Sequence, residues 1–157
     1  MRIIGIDPGT GILGFGVIDS RAGKFVLVDG GIIRTKVNQP LDERLIEIYR
    51  QLASVISKTR PTVMAIEKLF FAQNVTTAMS VSHARGVAML TGKIAGLEVA
   101  EYTPLQIKQS LTGYGRADKK QMQEMVKVLL NLQTVPKPDD CADALACAIT
   151  HAMTQKP

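Results

Sequence analysis

The first third of the chain contains short apolar runs that are typical of β-strands. They cover residues 2–7, 13–19 and 24–35, and the turns between them are short and rich in glycine. Because connections this short join neighbouring strands, the three strands should form an antiparallel meander. Two adjacent glycines, Gly30 and Gly31, interrupt the third run, and we expect a β-bulge there.

The spacing of the apolar residues then changes to that of a helix. Between residues 41 and 56 they recur every three or four positions, and Arg60-Pro61 should end this helix before a fourth strand over residues 62–67. A strand–helix–strand connection is right-handed and makes the fourth strand parallel to the first. With a short fifth strand over residues 97–102, the pattern predicts an α/β fold. Its sheet is mixed and five-stranded, with three antiparallel strands followed by parallel strands, and helices flank it.

Further helices are predicted over residues 75–94, from 104 to 111, after Asp118 and over 139–154. Asp118 is an acceptable N-cap for the helix that follows it. The 75–94 segment consists mostly of alanine, valine, methionine, serine and glycine, so it is apolar on most sides. Such a helix needs cover on most sides. It is either a central helix of a monomer or part of an interface, and the pattern leaves both readings open.

Length and composition restrict the class of protein. A chain of 157 residues can bury a core alone, and we expect a single domain over residues 1–157. No apolar run reaches the roughly 18 residues of a membrane helix, and Asp7 interrupts the first strand where an export signal would need an apolar core. We therefore expect a cytoplasmic protein without a membrane partner. Cys141 and Cys147 are read as reduced, buried side chains, and the net charge of +5 modestly favours an anionic partner.

Four acidic residues stand where this fold would bring distant segments together. Asp7 and Glu67 each end an apolar strand, and these two strands should end at the same edge of the sheet. Asp140 and Asp143 are three residues apart and share one face of the last helix, which is otherwise alanine, cysteine and leucine. Taken singly, such acids are more often helix caps or turn residues. Taken together, they predict a site for Mg²⁺, with Mn²⁺ as a substitute, and two ions there could support phosphodiester hydrolysis.

Basic and aromatic residues flank these acids. Phe70 and Phe71 directly follow Glu67 in a polar segment, so one can pack in the core while the other stacks on or wedges between bases. Basic residues around the glycine-rich loop 113–116 are candidates for phosphate contacts, although lysines on helices are usually only solvated. These candidates are Lys108, Arg116, Lys119 and Lys120.

Four segments, taken together, resemble the bacterial RuvC crossover-junction endodeoxyribonucleases. They are Ile4–Gly11, Ala65–Asn74, His83–Val87 and Asp140–Ala146. The resemblance extends in order over nearly the whole chain. It implies a ribonuclease H-like fold and a homodimer that cuts two opposed strands of a Holliday junction with Mg²⁺, in recombination and DNA repair. It also implies a functional partnership with the RuvA–RuvB branch-migration complex, and it favours the 75–94 helix as the dimer contact.

The resemblance also assigns roles to individual residues. Phe70 corresponds to the aromatic residue that stacks on the junction, and Lys108 and Lys119 to lysines beside the active site. The catalytic carboxylates of the family correspond to Asp7, Glu67, Asp140 and Asp143.

Other functions compete with this one. The turn Asp7–Gly11 also occurs in actin-like and sugar-kinase ATPases, but those enzymes bind nucleotide between two domains and this chain is too short for two. A related nuclease family acting on RNA shares the fold, and the Phe70-Phe71 pair argues against it. A non-catalytic nucleic-acid-binding module would keep the lysines without needing four acids.

Overall fold

The computed structural model describes residues 1–68 and 75–155. In these residues, strands and helices follow one another along the chain much as the sequence pattern predicts. The elements are β1 (Arg2–Asp7), β2 (Ile12–Arg21), β3 (Lys24–Arg34), α1 (Leu41–Thr59), β4 (Val63–Glu67), α2 (Val75–Ile94), β5 (Glu98–Tyr102), α3 (Pro104–Thr112), α4 (Lys119–Leu129) and α5 (Asp139–Thr154).

The strands form one mixed sheet in the order β3-β2-β1-β4-β5. β1 pairs antiparallel with β2, and β2 pairs antiparallel with β3, as expected for a meander. On its other side β1 pairs parallel with β4, and β4 pairs parallel with β5. The mixed five-stranded sheet predicted from the sequence is therefore confirmed.

The irregularity in β3 lies at a different residue from the predicted one. The register with β2 shifts between the pairs Val17–Asp29 and Ile18–Leu27, so that Val28 is the extra residue. The prediction of a bulge at Gly30-Gly31 is therefore wrong, because both glycines pair regularly with β2. Packing explains Gly30 instead, since a Cβ there would lie only 3.0 Å from the sulfur of Cys141 on α5.

Helices cover both faces of the sheet. On one face, α1 and α2 enclose a core of large side chains that includes Ile4, Ile6 and Met64. On the other face, α3, α4 and α5 enclose a second core, to which the sheet contributes Ile3 and Ala65. Alternate residues of β1 and β4 thus face opposite helical layers, as strand geometry requires.

Helix α5 lies unusually close to the sheet because the strands beneath it carry glycine. A Cβ on Gly5 would lie 1.9 Å from the carbonyl oxygen of Ala144, and one on Gly14 would lie 2.0 Å from the carbonyl oxygen of Asp140. Both distances are far below a van der Waals contact, so any larger residue would push the helix away. The two glycines therefore determine how near the N-terminal end of α5 approaches the ends of β1 and β2.

Two further predictions concern cysteines and membranes. Cys141 and Cys147 are both buried and free of disulfide bonds, as expected for reduced side chains. Within residues 1–68 and 75–155, no helix has the length and hydropathy to cross a membrane.

Candidate active site

The first two acids lie side by side at the carboxyl ends of β1 and β4. The parallel register of these strands runs to the pair Ile6–Ile66, and the next residues along each strand are Asp7 and Glu67. Because side chains alternate along a strand, these two residues point to the same face as Gly5, which is the face covered by α5. Both side chains are partly buried. The sequence prediction that the two strand ends meet at one edge is confirmed.

The second two acids lie in the first turns of α5. The helix begins at Asp139 after Pro138, and Asp140 and Asp143 are both partly exposed. From Ala144 onward the helix is buried through Ala152. The two carboxylates therefore stand where α5 emerges from the core. Gly14 pairs with Asp7 at the end of β1, and the carbonyl oxygen of Asp140 packs against Gly14. The first turn of α5 therefore lies beside the strand ends.

The pKa of Asp7 indicates that the four acids share one neighbourhood. It is raised to about 8, first by burial and then by the negative charges of Asp143, Glu67 and Asp140. The positive charge of Lys119 opposes this rise in the pKa. Each of the other three predicted acids therefore lies near enough to Asp7 to act on it electrostatically.

The pKa values of Glu67 and Asp143 are raised as well. The pKa of Glu67 is raised by burial and by the charge of Asp143, and Lys108 opposes the rise. The pKa of Asp143 is also raised by burial, although its contact with Lys119 acts against that. Several carboxylates close together in a partly buried site are typical of groups that bind a cation or share protons.

Two lysines supply the positive charge of the site. Lys119 is the first residue of α4, after the N-cap Asp118, and its Nζ lies 3.4 Å from a carboxylate oxygen of both Asp143 and Asp139. Burial lowers the pKa of Lys119, but the two carboxylates outweigh burial and raise it overall. Lys108 on α3 lines a cleft of about 270 Å³ together with Glu67, Lys119 and Asp143. The predicted cap at Asp118 is confirmed by its bond from the Gln121 amide.

The remaining predicted residues differ in how far the structure describes them. Arg116 and Lys120 are exposed beside the cleft, and Lys120 forms no ion pair with another described residue. Phe70 and Phe71 lie outside the described residues, so their roles stay predictions.

Asp139 is a residue beside the site that the sequence analysis does not identify. Its carboxylate bridges Lys119 and Lys137, at 3.4 and 3.7 Å, and the bond from Lys119 lowers its pKa. The signal for this role was its position next to Asp140, but the partner lies 20 residues away on another helix. Periodicity alone does not reveal such a pairing.

The donor set fits a hard divalent cation, since every candidate ligand is a carboxylate oxygen. The raised pKa of Asp7, caused first by burial and then by the negative charges of Asp143, Glu67 and Asp140, favours such an ion, because a cation would stabilise the ionised carboxylate. No three acidic, histidine or cysteine side chains within residues 1–68 and 75–155 are arranged as a ready metal-binding group. The four carboxylates are therefore close enough to interact, but their side chains are not arranged in the geometry of a metal-coordination site.

Comparisons with known proteins identify the family to which this chain is similar. The profile of the family "Crossover junction endodeoxyribonuclease RuvC" matches residues 3–151. The chain is 55% identical over 152 residues to crossover junction endodeoxyribonuclease RuvC of Alkaliphilus metalliredigens, covering 97% of this chain and 93% of that protein. The corresponding protein of Brevibacillus brevis is 54% identical over 152 residues, covering 97% of this chain and 92% of the relative.

A solved structure extends the similarity to three dimensions. The structure of T. thermophilus RuvC in complex with a Holliday junction substrate matches with a TM-score of 0.93 at 37% sequence identity, covering 98% of this chain and 94% of that one.

Proposed function

The chain belongs to the RuvC family of crossover junction endodeoxyribonucleases, and we propose that it resolves Holliday junctions by cutting opposed strands symmetrically in DNA recombination and repair. The observation that supports this most strongly is the group of four carboxylates at the carboxyl edge of a ribonuclease H-like sheet, in a chain that matches the family over residues 3–151. The similarity to a relative bound to a junction supports the same substrate class.

We propose that the reaction depends on Mg²⁺, with Mn²⁺ as a substitute and two ions per site. Asp7, Glu67, Asp140 and Asp143 would hold them. When bound, such ions supply an activated water and stabilise the charge on the phosphate oxygens. Burial raises the pKa values of Asp7, Glu67 and Asp143, and the neighbouring negative charges raise them further. These raised values support the assignment, because a bound cation would stabilise the ionised carboxylates.

The lysines have a separate role in this proposal. Lys119 and Lys108 face the acids from α4 and α3, so their ammonium groups lie where a DNA phosphate enters the cleft. In the resting protein Lys119 pairs with Asp143 and Asp139. A phosphate bound between them would take over part of that pairing and orient the scissile bond. Arg116 and Lys120 are proposed to contact DNA phosphates farther out.

A homodimer through α2 fits a substrate with approximate two-fold symmetry. The inner face of α2 packs on the sheet through Ala84 and Ala88, which are fully buried. Its outer face exposes large apolar side chains, which include Met79, Leu90 and Ile94. Gly86 lies between them in sequence, and a Cβ added there would meet no atom of the described chain within 4 Å, which would let a second helix approach closely. By resemblance, the dimer would act beside RuvA–RuvB.

The dimer is tested by placing a charge on the outer face of α2. Leu90→Glu should give a monomer in sedimentation velocity, because a buried unpaired carboxylate is costly in an apolar interface. The control is Val128→Glu, which places the same charge on α4 at a similarly exposed apolar position. A dimer that survives Leu90→Glu would contradict the proposed interface.

One assay tests the function as a whole. The purified protein is incubated with a four-way DNA junction, a linear DNA duplex and an RNA–DNA hybrid, each with and without Mg²⁺. We expect paired symmetric cuts in the junction alone, and only with Mg²⁺. Cutting of the hybrid instead would favour an RNA-directed nuclease, and junction binding without metal-dependent nicking would favour a binding module.

Phe70 is proposed to stack on or wedge between bases at the crossover, as the resemblance implies. Phe70→Ala should therefore lower junction cleavage more than junction binding. Cleavage of synthetic junctions at the unchanged rate would remove this role from Phe70.

A further inference from the structure

Helix α2 contacts the backbone beside Glu67. The side chain of Arg85 donates a hydrogen bond from Nε to the carbonyl oxygen of Glu67, at 3.0 Å. The same guanidinium group forms an ion pair with Glu101 on β5, the neighbouring strand. Arg85 therefore spans the ends of β4 and β5 from the side of α2, and one of its bonds ends on the main chain of a proposed metal ligand.

The same helix also holds the turn that follows Asp7. Thr10 is buried, and its hydroxyl donates to the carbonyl oxygen of Ser80 on α2 at 2.6 Å, with the Ser80 hydroxyl 2.7 Å away. On the other side of the turn, the hydroxyl of Thr35 donates to the carbonyl oxygen of Thr10 at 2.6 Å. Arg44 of α1 in turn donates from Nε to the Thr35 hydroxyl at 2.8 Å. The turn is thus anchored from several different parts of the chain.

These contacts act on the two strand ends that carry Asp7 and Glu67. Asp7 and Glu67 are neighbouring acids at the ends of adjacent strands, and among the described residues neither forms an ion pair with a lysine or arginine. Two ionised carboxylates repel each other, so the distance they keep when they act as ligands depends on how firmly their backbones are held. The ladder between β1 and β4 ends at the pair Ile6–Ile66. Asp7 and Glu67 are still paired on their outer sides with β2 and β5, and the contacts from α2 add to that pairing.

We propose that α2 is the positioning element of the active site, with Arg85 holding the Glu67 end of β4 and Ser80 holding the turn after Asp7. Arg85 is a positioning residue here, since it acts on the reacting groups only through Glu67. The inference rests on the proposed function and adds to it a role for a helix that carries none of the acids. The outer face of this helix is also the proposed dimer contact. Subunit association would therefore hold in place the helix that carries Arg85 and Ser80.

A purely structural role for Arg85 is the competing explanation. Although the Arg85 side chain is mostly buried, the Glu101 end of the ion pair is exposed, and ion pairs open to solvent contribute little to stability. The loss of Arg85 should therefore leave the fold intact and loosen the site. Loosening by about 1 Å is enough to slow a reaction on the order of 10²-fold.

The test compares Arg85→Ala and Arg85→Lys with the control Arg21→Ala, which removes the same charge from the exposed β2–β3 hairpin. For each protein kcat and KM are measured on a four-way junction with Mg²⁺, together with Mn²⁺ binding by titration calorimetry and the Tm. We expect Arg85→Ala to lower kcat about 10- to 100-fold and to weaken Mn²⁺ binding, with KM and Tm close to those of the control. Arg85→Lys should recover part of kcat, because it keeps a donor near the Glu67 carbonyl.

Thr10→Val is the second variant, because it removes the hydroxyl that contacts Ser80 while nearly conserving the buried volume. It should lower kcat and weaken Mn²⁺ binding in the same way. The proposal is overturned if wild type cuts the junction and both Arg85→Ala and Thr10→Val match Arg21→Ala in kcat and Mn²⁺ affinity. It is also overturned if the loss of kcat equals the loss of folded protein. A wild-type protein that binds Mn²⁺ but cuts no junction would instead contradict the proposed function.

Discussion

The two strand-end acids differ from the two helix acids in how they are held and in how their charge is balanced. Asp7 and Glu67 sit on adjacent strands of one ladder and, within the described residues, have no ion-pair partner. Asp143 lies on a helix that only packs against the sheet, and Lys119 lies 3.4 Å from its carboxylate. The strand pair is rigid and poorly neutralised, whereas the helix pair depends on packing and already has a cation beside it. We call Asp7 and Glu67 the strand half of the site, and Asp140 and Asp143 the helix half. The strand half lacks a positive charge beside it, whereas the position of the helix half depends on the close packing of α5 on the sheet.

Removing a charge from the strand half should have the largest effect on cleavage. Asp7→Asn keeps the shape of the side chain but loses a proposed ligand, so we expect junction cleavage with Mg²⁺ to fall by about 10³-fold or more. Junction affinity, measured in the same buffer by fluorescence anisotropy, should stay within about threefold, since phosphate contacts by basic residues dominate binding.

The control for this variant is Asp42→Asn, at an exposed position in the first turn of α1. It should cut at the wild-type rate. Loss of binding together with cleavage in Asp7→Asn would indicate a folding defect and not a missing ligand.

Displacing the helix half should cost stability as well as cleavage. In Gly5→Ala the new methyl group would meet the backbone of α5 at Ala144, so the helix must shift. We expect a loss of about 3 kcal/mol in the free energy of unfolding, measured by denaturant titration. Cleavage should fall too, because Asp140 and Asp143 move with the helix. Asp7→Asn is the matched comparison, since it should lose cleavage without losing stability, and a fully stable Gly5→Ala would refute the close-packing argument.

The positive charge beside the helix acids can be removed by replacing Lys119. Lys119→Ala should lower kcat about 10- to 100-fold, because Lys119 contacts the carboxylates of Asp143 and Asp139. Its neighbour Lys120 is exposed and has no such contact within the described chain, so Lys120→Ala should cost no more than about twofold in kcat. Equal effects of the two variants would mean that Lys119 serves only general attraction of DNA.

The smallest expected effect is on stability as a function of pH. The pKa of Asp7 is raised to about 8 in the folded protein, so the folded state holds a proton that the unfolded state releases near its usual pKa of 3.8. The folded state then binds more protons between those values, and this contribution to stability is present at low pH and lost as pH rises toward 8. Thermal unfolding in EDTA should show wild type losing a few degrees of Tm, roughly 2–6 °C, between pH 5.5 and 8.5 relative to Asp7→Asn.

Divalent cations should reverse this loss. Adding Mg²⁺ at pH 8.5 should raise the Tm of wild type but not that of Asp7→Asn, because a cation replaces the proton in relieving the repulsion. A wild-type Tm that follows the Asp7→Asn curve at every pH, with and without Mg²⁺, would contradict the charge excess at the strand ends.

Much of this site was predictable because its signals are local. An apolar run that ends on an acid marks a strand end, and two acids three residues apart mark one face of a helix. Asp7, Glu67, Asp140 and Asp143 are identified in this way, and the meander of β1, β2 and β3 follows from the short connections between these strands. The bulge at Val28 carries no such signal, because valine is an ordinary strand residue and no glycine marks the position.

The contacts of Asp139 with Lys119 and of Arg85 with the Glu67 carbonyl were missed for a different reason. Their partners are 20 and 18 residues apart in sequence and lie on separate elements. Nothing in the periodicity of either segment specifies which side chain of the other it will meet. Such pairings depend on the angle and distance at which elements pack.

The sequence by itself determined which elements form and which acids stand at their ends, since these depend on the spacing of apolar residues and on turn chemistry. Only the tertiary structure decided how much the acids repel one another, which lysine faces them and which helix holds their backbones. The physical reason is that charge interactions and hydrogen bonds depend on separations of a few ångströms. Those separations are determined here by the close packing of α5 on Gly5 and Gly14 and by the anchors from α2.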